Sequence, residues 1–140
     1  MQASTLIGTW ALVATEWRRA DGRHANPFGA DAIGIVIYDA AGNMSAQVMR
    51  ADRPSAAVAG IDTAMASAVP GYIAYFGAYE VDEAATVIRH DVVGSVFPGW
   101  AGQSHTRNFN IEGDRLVLSA EVVSADGVAV HASTTWERVG

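Results

Sequence analysis

Short runs of alternating apolar and polar residues, broken by turn-forming clusters, extend through most of the chain. The clusters are ADG at 20–22, AAGN at 40–43, DEAA at 82–85, PGWAG at 98–102, EGD at 112–114 and a second ADG at 125–127. Runs rich in Val, Ile, Thr and aromatic residues between such turns mark antiparallel strands joined by hairpins, because a strand with one buried face repeats every two residues. The pattern predicts eight strands, over residues 7–17, 32–38, 44–50, 78–82, 86–97, 103–111, 115–123 and 128–138. Eight such strands in succession imply an all-β chain closed into an up-and-down antiparallel barrel, which leaves no free sheet edge.

One stretch departs from that rhythm. In RPSAAVAGIDTAMASAVPGYIAYFG, residues 53–77, the alanines and the caps Ser55 and Asp62 favour a short helical insert over residues 55–76, ended or kinked at Pro70 and Gly71. Lying between the third and fourth strands, the insert would cross an open end of the barrel as a lid or as a fixed plug.

A barrel sends alternate residues inward, so one anchor per strand sets the rest until a bulge intervenes. With Trp10 inward, Leu12, Ala14 and Glu16 follow it. Phe109 and Ile111 as core residues carry Arg107 and His105 inward. Ile88, His90, Val92 and Val96 share the apolar parity of their strand, while Arg89 and Asp91 face solvent. On this reading His90 lies near Phe109 with Arg107 one diagonal step away, and Glu16, His90 and Arg107 all enter a space walled by Leu, Ile, Val and Phe. Burying such groups is costly unless they are paired, so they form either a structural network or a working site.

Composition sharpens this. The 140-residue length fits one domain, over residues 1–140. Half the residues are apolar and 17% are charged, where about 25% is usual. Such a chain must hide apolar surface by forming a homo-oligomer or by lining a cavity. A net charge of −6 argues against a nucleic-acid partner, which requires a basic face. No cysteine is present, which removes disulfides and thiol chemistry. The first residues lack the basic and continuous apolar segments of a signal peptide, and no run is long enough for a membrane helix, so a cytoplasmic protein with no membrane partner is expected. His90, His105 and His131 stand at no metal-ligand spacing and His131 falls on the outward parity with Ser133 and Thr135, so no metal is expected. A phosphate loop and a seryl nucleophile elbow are both missing, and no cofactor is expected.

LIGTW (6–10), GIVIYDAAGNMSAQVMRADRP (34–54), GYIAYFGAYEVDE (71–83), HDVVGSVFPGWAGQSHTR (90–107) and EGDRLVLS (112–119), in this order, resemble the bacterial and fungal lipocalin-like domain family. The resemblance implies an eight-stranded barrel around an apolar cup, with Trp10 of the Gly8-x-Trp10 start packed against the last-strand Arg138. It also marks Glu16, Tyr38, His90, Ser95, Trp100 and Arg107 as recurring polar and aromatic positions. The family's Phe-Pro-Asn-Trp corner departs here at Gly99, which removes any role for that side chain. Barrels of this type include carriers of small apolar molecules and cofactor-free isomerases, cyclases and lyases.

Two functions follow, both with a small hydrophobic or aromatic ligand in the cup. In the first, His90 or Glu16 moves a proton while Arg107 and Tyr38 steady a carbonyl or enolate oxygen, giving cofactor-independent isomerase, cyclase or lyase chemistry. In the second, a non-catalytic binding or carrier protein, the same groups only orient the ligand. Expected ligand contacts are Trp100, Phe109, His105, Tyr75, Tyr79 and Val92. Trp10, Trp136 and Arg138 are assigned to barrel closure.

Overall fold

The computed structural model describes residues 3–22, 28–53, 71–123 and 126–140. Eight antiparallel strands pair in sequence order: β1 (Gly8–Arg19), β2 (Ile33–Tyr38), β3 (Asn43–Met49), β4 (Tyr72–Asp82), β5 (Val87–Ser95), β6 (Ser104–Glu112), β7 (Arg115–Val123) and β8 (Ala129–Arg138). β8 pairs back onto β1 and closes the barrel. Among the described residues the helical elements are two short 3-10 turns, Ala3–Leu6 and Pro98–Trp100, and no helix is long and apolar enough to cross a membrane.

The helical insert expected over residues 55–76 needs correction at its end. Residues 72–76 are strand, the first half of β4, laddered along β3 from Met49↔Tyr72 to Asn43↔Ala78. Alanine and glycine dilute the alternation there, yet Tyr72, Ile73, Tyr75 and Phe76 suit a pleated surface, and β3 supplies the backbone partners. Residues 54–70, with the lid-or-plug expectation that rests on them, lie outside the described residues.

One end of the barrel is packed solid. Leu6, Trp10, Tyr38, Ile88 and Leu116 are sealed from solvent, with Met44 and Phe109 against them. Trp10 Nε1 donates to the Leu6 carbonyl at 2.9 Å, so the indole is buried without an orphan donor. The Arg138 guanidinium lies 4.2 Å over that ring and donates to the carbonyls of Ile7 and Thr5. Gly8 explains the Gly-x-Trp spacing. A Cβ there would stand 2.7 Å from Arg138 Nη1 and 2.5 Å from the Gly140 carbonyl, at a backbone φ of +141°.

Two irregularities re-aim side chains further up. β1 slips against β8 between Leu12 and Ala14, so inward parity passes from even to odd positions. β5 bulges at Val93 opposite the Phe76/Gly77 step. Gly77 permits that close approach, since a Cβ would sit 1.9 Å from the Asp91 carbonyl oxygen. The outer wall exposes Ile33, Ile37, Phe76 and Val93, so apolar surface remains outside as well as within.

Candidate functional site

The other half of the barrel is hollow. A cavity of about 570 Å³ opens at the end carrying the β1–β2, β3–β4, β5–β6 and β7–β8 connections, and Val36, Val48, Ile73, Leu118, Val122 and Trp136 form its apolar walls. Tyr75, His90, His105 and Arg107 enter it as a polar group, and Thr15, Gln47, Tyr72, Ser119 and Thr134 add further hydroxyl and amide groups to the wall.

His90 forms part of the floor. It is 1% exposed, and both ring nitrogens are engaged: Nε2 lies 2.7 Å from Tyr38 Oη and Nδ1 lies 3.0 Å from Tyr75 Oη. Burial, then the positive charge of Arg107, then His105, push the imidazole pKa down to about 3, so it is neutral at physiological pH. Burial likewise raises the Tyr38 and Tyr75 hydroxyls above the usual phenol range, with Arg107 acting in the opposite direction. Both tyrosines are therefore protonated hydrogen-bonding groups.

The inward parity of His90, His105 and Arg107 is as expected, while the register differs. His90 faces His105, and Ile88 faces Arg107, so the expected position of His90 beside Phe109 is corrected. The hairpin is asymmetric. Val92 exchanges backbone bonds with Gln103 and Gly102, which ends the β5–β6 ladder early, while β5 stays paired with β4 as far as Ser95 and Val96 bonds to Ala74; residues 97–102 form a flap at the mouth. Arg107 remains on the diagonal from His90. Its guanidinium donates to the Thr106 carbonyl at 3.1 Å and has no carboxylate within ion-pair distance among the described residues.

The flap supplies aromatic surface. Trp100 packs on His105 with ring centroids 4.4 Å apart, and meets Tyr75 and Phe97 edge-on at 5.6 and 5.1 Å. Ser95 Oγ accepts the Phe97 N–H at 3.0 Å and holds the corner. His105 Nε2 is also bonded to Gln103 Oε1, and burial followed by Arg107 lowers its pKa.

Glu16 is not at this site. It is exposed on the outer wall and paired with Arg18 at 2.5 Å, because the slip at Leu12/Ala14 turns it outward together with Ala14. Thr15 and Trp17 take the inward places and line the cup. The adjacent apolar pair Leu12-Val13 is the trace of that bulge in the sequence. Of the expected ligand contacts, Trp100, His105 and Tyr75 line the cavity; Val92, Phe109 and Tyr79 do not. Phe109 belongs to the packed core and Val92 is buried. Tyr79 packs its ring on Tyr38 and donates to the Asp39 carbonyl at 2.6 Å, at the closed end. Tyr38 is wholly buried and reaches the cup through His90. Sequence parity missed Trp17, Phe28, Tyr72 and Phe97 as wall residues and gave Trp136 to closure alone.

A more open hollow outside the barrel is formed by Arg18, Arg19, Gly22, Glu121, Ala129 and His131. Its charges are already matched by Glu16, Asp21, Asp126 and the His131–Glu121 contact. Among the described residues no group of His, Asp and Glu could hold a metal ion.

In comparisons with known proteins, the family model described as "Lipocalin-like domain" matches residues 7–139. The 4'-hydroxy-3'-methoxypropiophenone carrier protein ppsC of Aspergillus oryzae (strain ATCC 42149 / RIB 40) is 32% identical over 107 residues, which are 69% of this chain and 96% of that protein.

Proposed function

The chain belongs to the lipocalin-like domain family, and from that membership we propose that it binds a small apolar or aromatic molecule in the cup, with a polar atom of that molecule towards Arg107, as a carrier. The observation that carries this reading is the apolar cavity with an arginine on its wall and no carboxylate beside it among the described residues. A guanidinium in such surroundings is best satisfied by an oxygen of the ligand. The Aspergillus oryzae relative, a carrier named for 4'-hydroxy-3'-methoxypropiophenone, supports the same class of cargo, an aromatic ketone.

Cofactor-independent isomerase, cyclase or lyase chemistry needs a group able to take a proton at the ligand. The surroundings of His90 favour an orienting role, since its nitrogens are both occupied and its pKa is near 3. Glu16 is on the far side of the wall. A catalytic form of this cup would have to use His105 instead, so the test includes turnover as well as affinity.

Trp17, Trp100 and Trp136 line the cavity and report its filling. Titration with 4'-hydroxy-3'-methoxypropiophenone should quench tryptophan fluorescence saturably, with calorimetry giving a matching affinity. Ala132→Phe, which fills the cup from β8, should weaken binding by about tenfold, from lost volume. Arg107→Met should weaken it by roughly tenfold or somewhat more, the worth of a charge-assisted hydrogen bond. The absence of saturable binding, or binding indifferent to both replacements, overturns the proposal. Consumption of the ligand that His105→Gln abolishes would replace the carrier by an enzyme.

A further inference from the structure

The hydrogen-bond chain in the floor has a direction, set by where its protons can go. Tyr38 is wholly buried, and among the described residues its hydroxyl meets one partner, His90 Nε2. If Nε2 carried the ring proton it would donate to Tyr38 Oη, and the proton of Tyr38 would face a sealed core with no acceptor, a state that buried polar groups avoid. Tyr38 therefore donates to Nε2. The neutral ring then holds its single proton on Nδ1 and donates it to Tyr75 Oη. With its oxygen occupied as an acceptor, Tyr75 has one proton left to give. Both Tyr75 and Arg107 line the cavity.

We propose that the Tyr38–His90–Tyr75 chain commits the Tyr75 hydroxyl to donating into the cup, so that Tyr75 and Arg107 form a donor-only subsite for an acceptor oxygen, a ketone carbonyl or a phenolate, on an aromatic ligand. The inference rests on the binding reading above and names the polar chemistry of the cargo. A hydroxyl free to turn would accept as readily as donate, and the cup would then separate ligands by shape alone. With the chain directed, two donors meet an incoming oxygen, and a ligand group that can only donate meets a Tyr75 oxygen already accepting from His90 Nδ1. Tyr75 and Arg107 touch the ligand; His90 is a positioning residue that acts through Tyr75, and Tyr38 occupies its other nitrogen.

The test compares propiophenone with n-propylbenzene, two probes of similar shape that differ in the carbonyl oxygen, by calorimetry on the intact protein. The ketone should bind roughly tenfold tighter, the usual worth of one hydrogen bond. Tyr75→Phe should abolish most of that preference. Tyr38→Phe, out of reach of the ligand, leaves no acceptor for a proton on Nε2, so the ring should keep its proton on Nδ1 and the ketone preference should survive; the affinity of n-propylbenzene should change by no more than about twofold in either variant. Long-range nitrogen–proton correlation spectra of the unaltered protein provide a readout that no folding defect can blur, and should show His90 protonated on Nδ1 and bare on Nε2. A protonated Nε2, equal affinity for the two probes, or a ketone preference that survives Tyr75→Phe overturns the directed subsite. Failure of both probes to bind overturns the binding reading as well.

Discussion

Acidification from pH 7 to pH 4 should destabilise the barrel by about 3 kcal/mol through His90, and His90→Gln should remove most of that dependence. The ring is neutral in the fold, with a pKa near 3 against 6.5 when exposed. Above pH 6.5 neither state binds the proton, and the full stability is present. Between 6.5 and about 3 the unfolded chain is protonated while the fold resists, so stability is lost as pH falls, at a slope approaching 1.4 kcal/mol per pH unit. His105 is depressed by the same causes and adds in the same direction.

The carboxylates Asp39, Asp52 and Asp91, held below 3.8 mainly by backbone or side-chain hydrogen bonds, lose their contributions at lower pH, which separates the two effects. Glutamine can accept from Tyr38 and donate to Tyr75, so the variant should fold and differ chiefly in being untitratable. Denaturant unfolding at several pH values between 7 and 4 measures both proteins. An unchanged slope in His90→Gln would remove the assignment of acid sensitivity to this histidine. Affinity for an uncharged ligand, by contrast, should stay level across neutral pH, because the floor does not titrate there.

Replacing Trp10 by alanine should cost about 3–5 kcal/mol, the range for a large aromatic lost from a closed core. The indole is sealed from solvent, holds the Leu6 carbonyl and carries the Arg138 guanidinium on its face. Its loss opens a void that the barrel end cannot refill and strips the arginine of its platform. Trp100→Ala should behave differently. That ring sits on the flap with partial exposure, so stability should fall by only about 1 kcal/mol, while affinity for an aromatic ligand drops with the lost stacking surface. Urea unfolding and ligand titration on both variants distinguish closed end from open cup. Equal losses of stability would mean that the flap is part of the core, and the division of the barrel into floor and cup would fail.

Much of this was legible in the residues. The turns at 40–43, 82–85 and 112–114 and the alternating runs beside them marked the strands, and the parity through Phe109 and Ile111 carried His105 and Arg107 inward, where the structure has them. The first half of β4 was not legible, because alanine-rich neighbours suggested helix and only pairing with β3 makes Tyr72–Phe76 a strand. Glu16 shows the sharper failure. Its parity was counted correctly from Trp10, yet one slipped residue at Leu12/Ala14 reversed it and placed Trp17 in the cup instead.

The amino-acid sequence by itself determined the quantities that depend on neighbours along the chain: eight strands in order, an apolar interior and the inward sense of His90, His105 and Arg107. These follow from a two-residue period and from turn chemistry, which act over a few residues. Tertiary structure decided what depends on pairing between distant strands: the β1–β8 slip, the early end of the β5–β6 ladder that sets His90 opposite His105, and the meeting of Tyr38, His90 and Tyr75 from three different strands. A bulge or register is chosen by the fit of both strands and of the closed ring as a whole, so no single stretch carries it, and the state of the histidine proton follows only once a sealed partner lies on one side and an open cavity on the other.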